Sequence, residues 1–357
     1  MAGIDGSMAH LSDGLFTTAI ATYALAMVGY TAEFAFGRVG RAGRTAAVPA
    51  AATTRASSAP ARELVGAGGP TVPGSPSTSS TASVADRSQP PVAPAGRRRT
   101  AERIGRWSVV VTVIGMLIHT GSIAVRAGAV DAVPWSNMYE FASVAGLVGV
   151  VAFLAVMWKA PQIRFLGGFV LLPVILMMFL AGTVLYSKAQ PLVPALQSYW
   201  LAIHVTLVSV AEGALMTSAV LTVLFLLRSR YDKKVTEPGY RPGSVGTLAS
   251  RLPAAETLDK AAYRVVAFSF PLYTVAIICG AIWAEAAWGR YWGWDPKETW
   301  AFIVWVVYAC YLHARATAGW KGRAAAWVNL VGFGAITFNF LIVNLVVSGL
   351  HSYAGLS

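Results

Sequence analysis

Eight stretches of predominantly apolar residues recur along the chain, at about 15–36, 106–126, 140–158, 165–186, 199–227, 265–287, 299–318 and 326–349. A helix needs ~20 such residues to cross the hydrocarbon core of a bilayer, and lipid offers no partner to unpaired backbone groups. Repeated eight times, this pattern leaves few folds open. Hydrophobic residues make up 56% of the chain and charged residues 12%, with a mean hydropathy of +0.57, a balance outside that of soluble domains. The expected fold is therefore an all-α polytopic membrane protein of about eight transmembrane helices.

The net charge of +12 raises nucleic acid as a partner, but the distribution of charge argues against it. Arg and Lys crowd into 37–106 and 228–264, with smaller sets at Lys159/Arg164 and Arg315/Lys321/Arg323. The alternate loops hold Arg126, Lys188, Arg290 and Lys297. By the positive-inside rule both termini lie outside, as does the loop joining the sixth and seventh spans. Basic residues follow the first span (Arg38, Arg41, Arg44) and none precedes it, the reverse of a cleavable signal peptide. Cys279 and Cys310 fall inside spans and form no C-x-x-C, which excludes thiol oxidoreductase chemistry and covalent haem carriage by this chain.

Three regions are expected: an N-terminal transmembrane anchor at 1–36, a basic cytoplasmic linker at 37–103, and a seven-helix unit at 104–357. The linker is rich in Ala, Pro, Ser, Thr, Gly and Arg and poor in aromatic residues, a composition that cannot offset the entropy of ordering. The loop 228–264 has a short helical pattern at 254–264 before the sixth span. No nucleotide-binding loop, zinc motif or internal repeat is present.

The run from Trp288 to Trp300, W-G-R-Y-W-G-W-D-P-K-E-T-W, carries most of the chemical information. Six of the twelve tryptophans lie between Trp283 and Trp305, more than an interfacial belt needs to anchor two helix ends. A belt remains the plain reading of any one of them; the density favours a platform for a large flat ligand. Asp at an N-cap, Pro at the first helical position and Glu at the third spell a helix start. Asp295, Pro296 and Glu298 would then fix a rigid loop against which a ligand loses little entropy. The candidate ligand-holding set is Trp288, Tyr291, Trp292, Trp294, Asp295 and Trp300.

His204 stands five residues into the fifth span from its outer end, and His351 directly follows the last span. Two imidazoles at similar depth flank the tryptophan loop, an arrangement suited to two axial ligands of a haem. His313 lies deep in the seventh span, about 21 Å from Thr299, next to cytoplasmic Arg315. His119 lies in the outer half of the second span, and His10 in the short outer N-terminus. An intramembrane histidine is a functional candidate, yet it often only hydrogen-bonds a neighbouring helix. For Glu33 and Glu212 the structural reading is preferred, a protonated carboxyl bonded to another helix. Residues 134–140 read as a turn and helix start that could also wall the ligand site.

The form W-G-x-x-W-x-W-D-P-K-E-T-W-A, ending at Ala301, resembles the WWD domain of haem-handling proteins. Its K-E-T-W continuation is that of the CcsA/ResC-type subunit of the system II cytochrome c synthase. Asn137-Met138-Tyr139-Glu140, Ser198-Tyr199-Trp200-Leu201-Ala202-Ile203-His204 and Gly349-Leu350-His351-Ser352-Tyr353 agree with it, so the resemblance covers about 104–357. It implies haem b as cofactor, with bis-His ligation of its iron by His204 and His351. It implies His313 as a transmembrane haem ligand whose matching histidine belongs to a CcsB/ResB-type partner. His119 stays outside the ligand set.

The implied activity is that of a haem lyase subunit in a plasma membrane, with the attachment site on the extracytoplasmic side. Haem is presented to the two cysteines of an apocytochrome c C-x-x-C-H motif, and each thiol adds to a vinyl group. Catalysis would come from positioning. The alternative is a haem exporter or chaperone that does not perform ligation; a third reading is a structural protein with an aromatic belt.

Overall fold

The computed structural model describes residues 5–37, 95–131, 133, 135–190, 196–317, 319–347 and 349–350. The regular elements among the described residues are all helices, with no strand. In chain order the helices are α1 (Gly6–Gly37), α2 (Ala95–Val130), α3 (Met138–Lys159), a 3-10 turn (Pro161–Leu166), α4 (Gly167–Thr183), α5 (Tyr199–Lys234), α6 (Ser244–Ser250), α7 (Ala255–Trp288), α8 (Pro296–Ala316) and α9 (Arg323–Phe338). A π turn (Asn339–Val343) and the short α10 (Asn344–Val346) close the last segment.

Among the described residues, seven helical segments are long and apolar enough to cross a membrane, matching every expected span except 299–318. That one is α8, whose 21 residues extend about 32 Å at 1.5 Å per residue. Trp300, Trp305, Tyr308, Tyr311, His313 and Arg315 make it less apolar than the rest. The chain is a polytopic all-α membrane protein.

Several expected boundaries shift. Helix α1 begins at Gly6, so His10 lies within it, exposed. Helix α2 starts at Ala95, inside the stretch assigned to the linker, of which 38–94 lies outside the described residues. The pattern at 254–264 is the first part of one 34-residue α7 that continues through Pro271. The loop between α5 and α7 contains α6, which its Gly and Pro content hid.

The N-terminal helix is not a separate anchor. Phe16, Ala19, Tyr23, Ala26 and Tyr30 are fully buried along one stripe of α1 and share a core with Met138, Tyr139, Val150, Val174 and Met178 of α3 and α4. Spacings of three and four residues put that stripe on one helical face. Glu33 pairs with the Arg164 guanidinium on the 3-10 turn, so its partner is a cation, where a neutral contact between helices was expected.

A second packing unit holds α5, α7, α8 and α9 together through Leu215, Val266, Tyr273, Val304, Tyr308 and Ile336. Asn329 Nδ2 donates to Ser218 Oγ at 2.9 Å and to Thr222 Oγ1 at 2.7 Å, while Ser218 Oγ donates to the Ala262 carbonyl at 3.0 Å. Small residues let α3 meet α5: a Cβ on Gly213 would collide with the Ala145 carbonyl. Such contacts replace the hydrophobic drive that lipid cannot supply. They fix the helices whose ends build the site.

Candidate functional site

Helix α7 ends where Gly289 adopts a left-handed conformation (φ 70°, ψ 21°), a geometry glycine takes without steric cost. Six residues later Asp295 opens α8 as N-cap, Pro296 takes the first position, and Glu298 reaches back: the expected capping box is present. Glu298 Oε2 accepts from the N–H of Gly293 at 2.8 Å and of Asp295 at 3.1 Å. Its Oε1 faces the Arg290 guanidinium at 3.4 Å. A Cβ on Gly293 would meet that guanidinium, so a larger residue between Trp292 and Trp294 would displace the Arg290 side chain from Glu298. One carboxylate thus ties three points of the loop.

Trp294 is held in the left-handed region at φ 58°, a conformation that costs a non-glycine residue roughly 1–2 kcal/mol. The Thr299 hydroxyl donates to its carbonyl at 3.3 Å, and its ring meets Trp292 edge-on at 5.8 Å. Its side chain is 66% exposed.

Beneath the loop lies a cavity of about 1200 Å³, its open mouth included, walled by Trp135, Trp283, Trp288, Tyr291, Trp292 and Phe340. His204, Val208 and Glu212 reach it from successive turns of α5. His204 Nδ1 lies 2.7 Å from the Ala276 carbonyl. A carbonyl only accepts, so Nδ1 carries the proton and the lone pair resides on Nε2. This backbone bond is the support commonly seen behind a metal-ligating imidazole. The ring lies 6.3 Å from Trp283 at 16° and close to Gly280, where an added Cβ would stand 2.7 Å from Nδ1 and Cε1.

Of the expected ligand-holding residues, Trp288, Tyr291 and Trp292 line the cavity together with His204. Trp294, Asp295 and Trp300 are not among its walls: Trp294 faces outward, and Trp300 packs on Phe338 of α9 with ring centroids 4.3 Å apart. His313 is exposed on α8, near the end away from the loop. His351 lies outside the described residues. The chain just before it is gripped, however: Asp295 Oδ1 accepts from the Leu350 N–H at 2.9 Å. Asp295 therefore caps α8 and also holds the segment leading to His351.

Sequence reasoning passed over several wall residues. Trp283 is 2% exposed and stacks beside His204; its spacing of three residues from Gly280 was the available signal. Glu212, expected to bond another helix, makes no hydrogen bond among the described residues and instead lines the cavity. Lys297, Asn339 and Asn344 line it too. The turn at 135–138 does wall the site: Asn137 caps α3 by accepting from Glu140 N at 2.9 Å, and Glu140 binds Arg126 at 2.7 Å. Among the described residues, no group of three or more His, Cys, Asp or Glu could hold a metal ion.

The cavity suits a flat, largely apolar group, with aromatic walls for its plane and one imidazole held by the backbone beside it. Residues 135–351 match the family of cytochrome C assembly proteins, a span that opens at cavity residue Trp135 and closes at His351. The chain is 35% identical over 282 residues to the cytochrome c biogenesis protein CcsA of Trieres chinensis, covering 72% of this chain and 89% of that one. It is 36% identical over 291 residues to CcsA of Gloeobacter violaceus, covering 69% and 86%. With CcsA of Synechococcus elongatus the identity is 43% over 199 residues, covering 46% and 61%. The chain belongs to the cytochrome C assembly protein family, and within it to the CcsA type.

Proposed function

We propose that this chain binds haem b beneath the tryptophan loop and presents it, outside the membrane, for covalent attachment to apocytochrome c. Family membership assigns it to cytochrome c biogenesis. The observation that carries the finer reading is the placement of His204. Its Nδ1–H is anchored on a backbone carbonyl at 2.7 Å, and its ring borders an aromatic cavity.

In this reading His204 and His351 are the two axial ligands, with Asp295 positioning the chain that bears His351. Trp288, Tyr291 and Trp292 hold the ring, and the outward Trp294 stands at the rim. The two C-x-x-C-H thiols each form a C–S bond to a vinyl carbon, and each proton ends on the adjacent carbon. No net oxidation occurs, so the protein needs to orient rather than supply a nucleophile. Basic loops on one side, and few cations on the other, favour placing the site on the extracytoplasmic face of a plasma membrane.

His313 fits an interface with a CcsB/ResB-type partner, because an exposed imidazole on a bundle surface requires a second chain to complete a bis-His site. Co-expression of the chain with that partner and an apocytochrome tests the proposal through covalent haem on the substrate. Attachment that disappears in His204→Gly supports a synthase. Haem binding and transfer without thioether formation would support an exporter or chaperone instead.

A further inference from the structure

The cavity is lined by polar groups with few close partners. Lys297, at the second position of α8, lines the cavity and donates to Asn344 Oδ1. An ammonium has three donors to satisfy, and among the described residues no carboxylate lies within 4.0 Å of this one. Glu212 enters the same lining from α5, eight residues past His204, without an ion pair or hydrogen bond among the described residues. Trp135 Nε1, a donor only, is buried without a partner among the described residues. The Lys297 ammonium feels the Glu212 and Asp295 carboxylates electrostatically, but neither is within 4.0 Å; a buried ammonium whose close acceptor is neutral is stabilised by a carboxylate that binds it directly.

The backbone around Lys297 is also unusual. Asn339 and Asn344 are five residues apart and would point about 140° apart on an α-helix. The π turn Asn339–Val343 brings both to the same cavity, as i to i+5 geometry does. Asn344 Nδ2 donates to the Phe340 carbonyl at 2.6 Å, which turns its Oδ1 toward Lys297. Asn339 Oδ1 is buried with no partner. A π turn, a lysine and two amides form a polar corner in an otherwise aromatic chamber.

We infer that this corner is a carboxylate subsite, in which Lys297 takes the acidic edge of the flat ligand whose plane lies among the tryptophans. The inference rests on the haem reading and deepens it: haem b is an apolar disc with two carboxylates on one edge. With its iron at His204 and that edge at Lys297, the ring has one in-plane orientation, which decides where its vinyl groups face. Lys297 is thus a ligand-binding and orienting residue.

The test compares haem b with its dimethyl ester, which keeps the ring, iron and vinyl groups but has no carboxylates. The full-length chain, co-purified with its partner and freed of haem, is titrated with each and followed by Soret absorbance. The parent protein should bind the free acid about tenfold or more tightly than the diester, since charge-assisted bonds are the strong ones. Lys297→Met should remove that preference by weakening the acid alone, and Lys297→Arg should retain most of it. Asn344→Asp, which sets a competing carboxylate beside Lys297, should weaken the acid and spare the diester, and it leaves the lysine in place should Lys297→Met fail to fold. An unchanged acid-to-diester ratio in Lys297→Met and Asn344→Asp would overturn the subsite while haem binding stands. A Soret band that neither compound shifts on addition of the parent would overturn the haem reading, and this inference with it.

Discussion

His119 and His204 are both helical imidazoles in a membrane protein, and their surroundings differ in one respect that separates structure from function. His119 is fully buried where α1, α2 and α3 meet, with Nε2 2.9 Å from Ser143 Oγ and Nδ1 3.4 Å from the Tyr23 hydroxyl. Both its nitrogens are engaged by protein, and Phe16 closes over the ring at 5.9 Å. His204 donates from Nδ1 to a backbone carbonyl, and its ring borders a cavity. Burial alone does not mark a site: one imidazole is sealed in a packed core, and the other stands in a cavity wall.

The same contrast runs through the two halves of the molecule. In the α1–α4 half, ionisable groups are neutralised at contact: Arg126 with Glu140 at 2.7 Å and Asp13 at 3.6 Å, and Arg164 with Glu33. The α5–α9 half has ion pairs of its own, Arg315 with Asp259 at 2.8 Å and Arg290 with Glu298 at 3.4 Å, but there Lys297, Glu212 and Asn339 also line a cavity. One half is a packed scaffold, and the other encloses a cavity.

The sharpest way to break this comparison is to remove each histidine. His204→Gly should reduce covalent haem on a co-expressed apocytochrome to background, with added imidazole restoring part of it. Next in size, Gly280→Val should crowd the His204 ring and lower bound haem on the order of tenfold, as loss of support behind a ligand does, with the protein still accumulating in the membrane. His119→Ala should leave the haem spectrum unchanged but cost about 2–3 kcal/mol of stability. A core side chain is lost, and Ser143 and Tyr23 are left unpaired; denaturation in detergent measures this. Asp295→Ala should cost about 1 kcal/mol through the lost cap. It should also broaden the haem spectrum, because the Leu350 N–H is released; Asp295→Asn should keep most of both.

Much of this division was visible in the sequence, and the exceptions are informative. The spans follow from apolar length, and the start of α8 from D-P-K-E, because both are local properties. The docking of α1 was readable as a stripe from Phe16 to Tyr30, but a long linker drew attention to separation instead. Trp300 resembled its neighbours in the loop, and only the direction of α9 shows that it meets Phe338. The cavity floor was the least legible part. Lys297 reads as a helix-start residue, and no sequence signal marks a π turn at Asn339–Val343, whose register joins Asn339 to Asn344. Sites assembled from four elements depend on helix ends, which apolar periodicity places within a turn at best.

The most direct test of the central claim is the absorption spectrum of the reduced, full-length chain purified with its partner, in the parent and in His204→Gly. The account predicts a six-coordinate, low-spin haem spectrum in the parent. In the variant it should be lost or become high-spin, and imidazole should return it to low-spin. A parent spectrum that His204→Gly leaves unaltered would contradict His204 as a haem ligand, and with it the assignment of the cavity as the haem site.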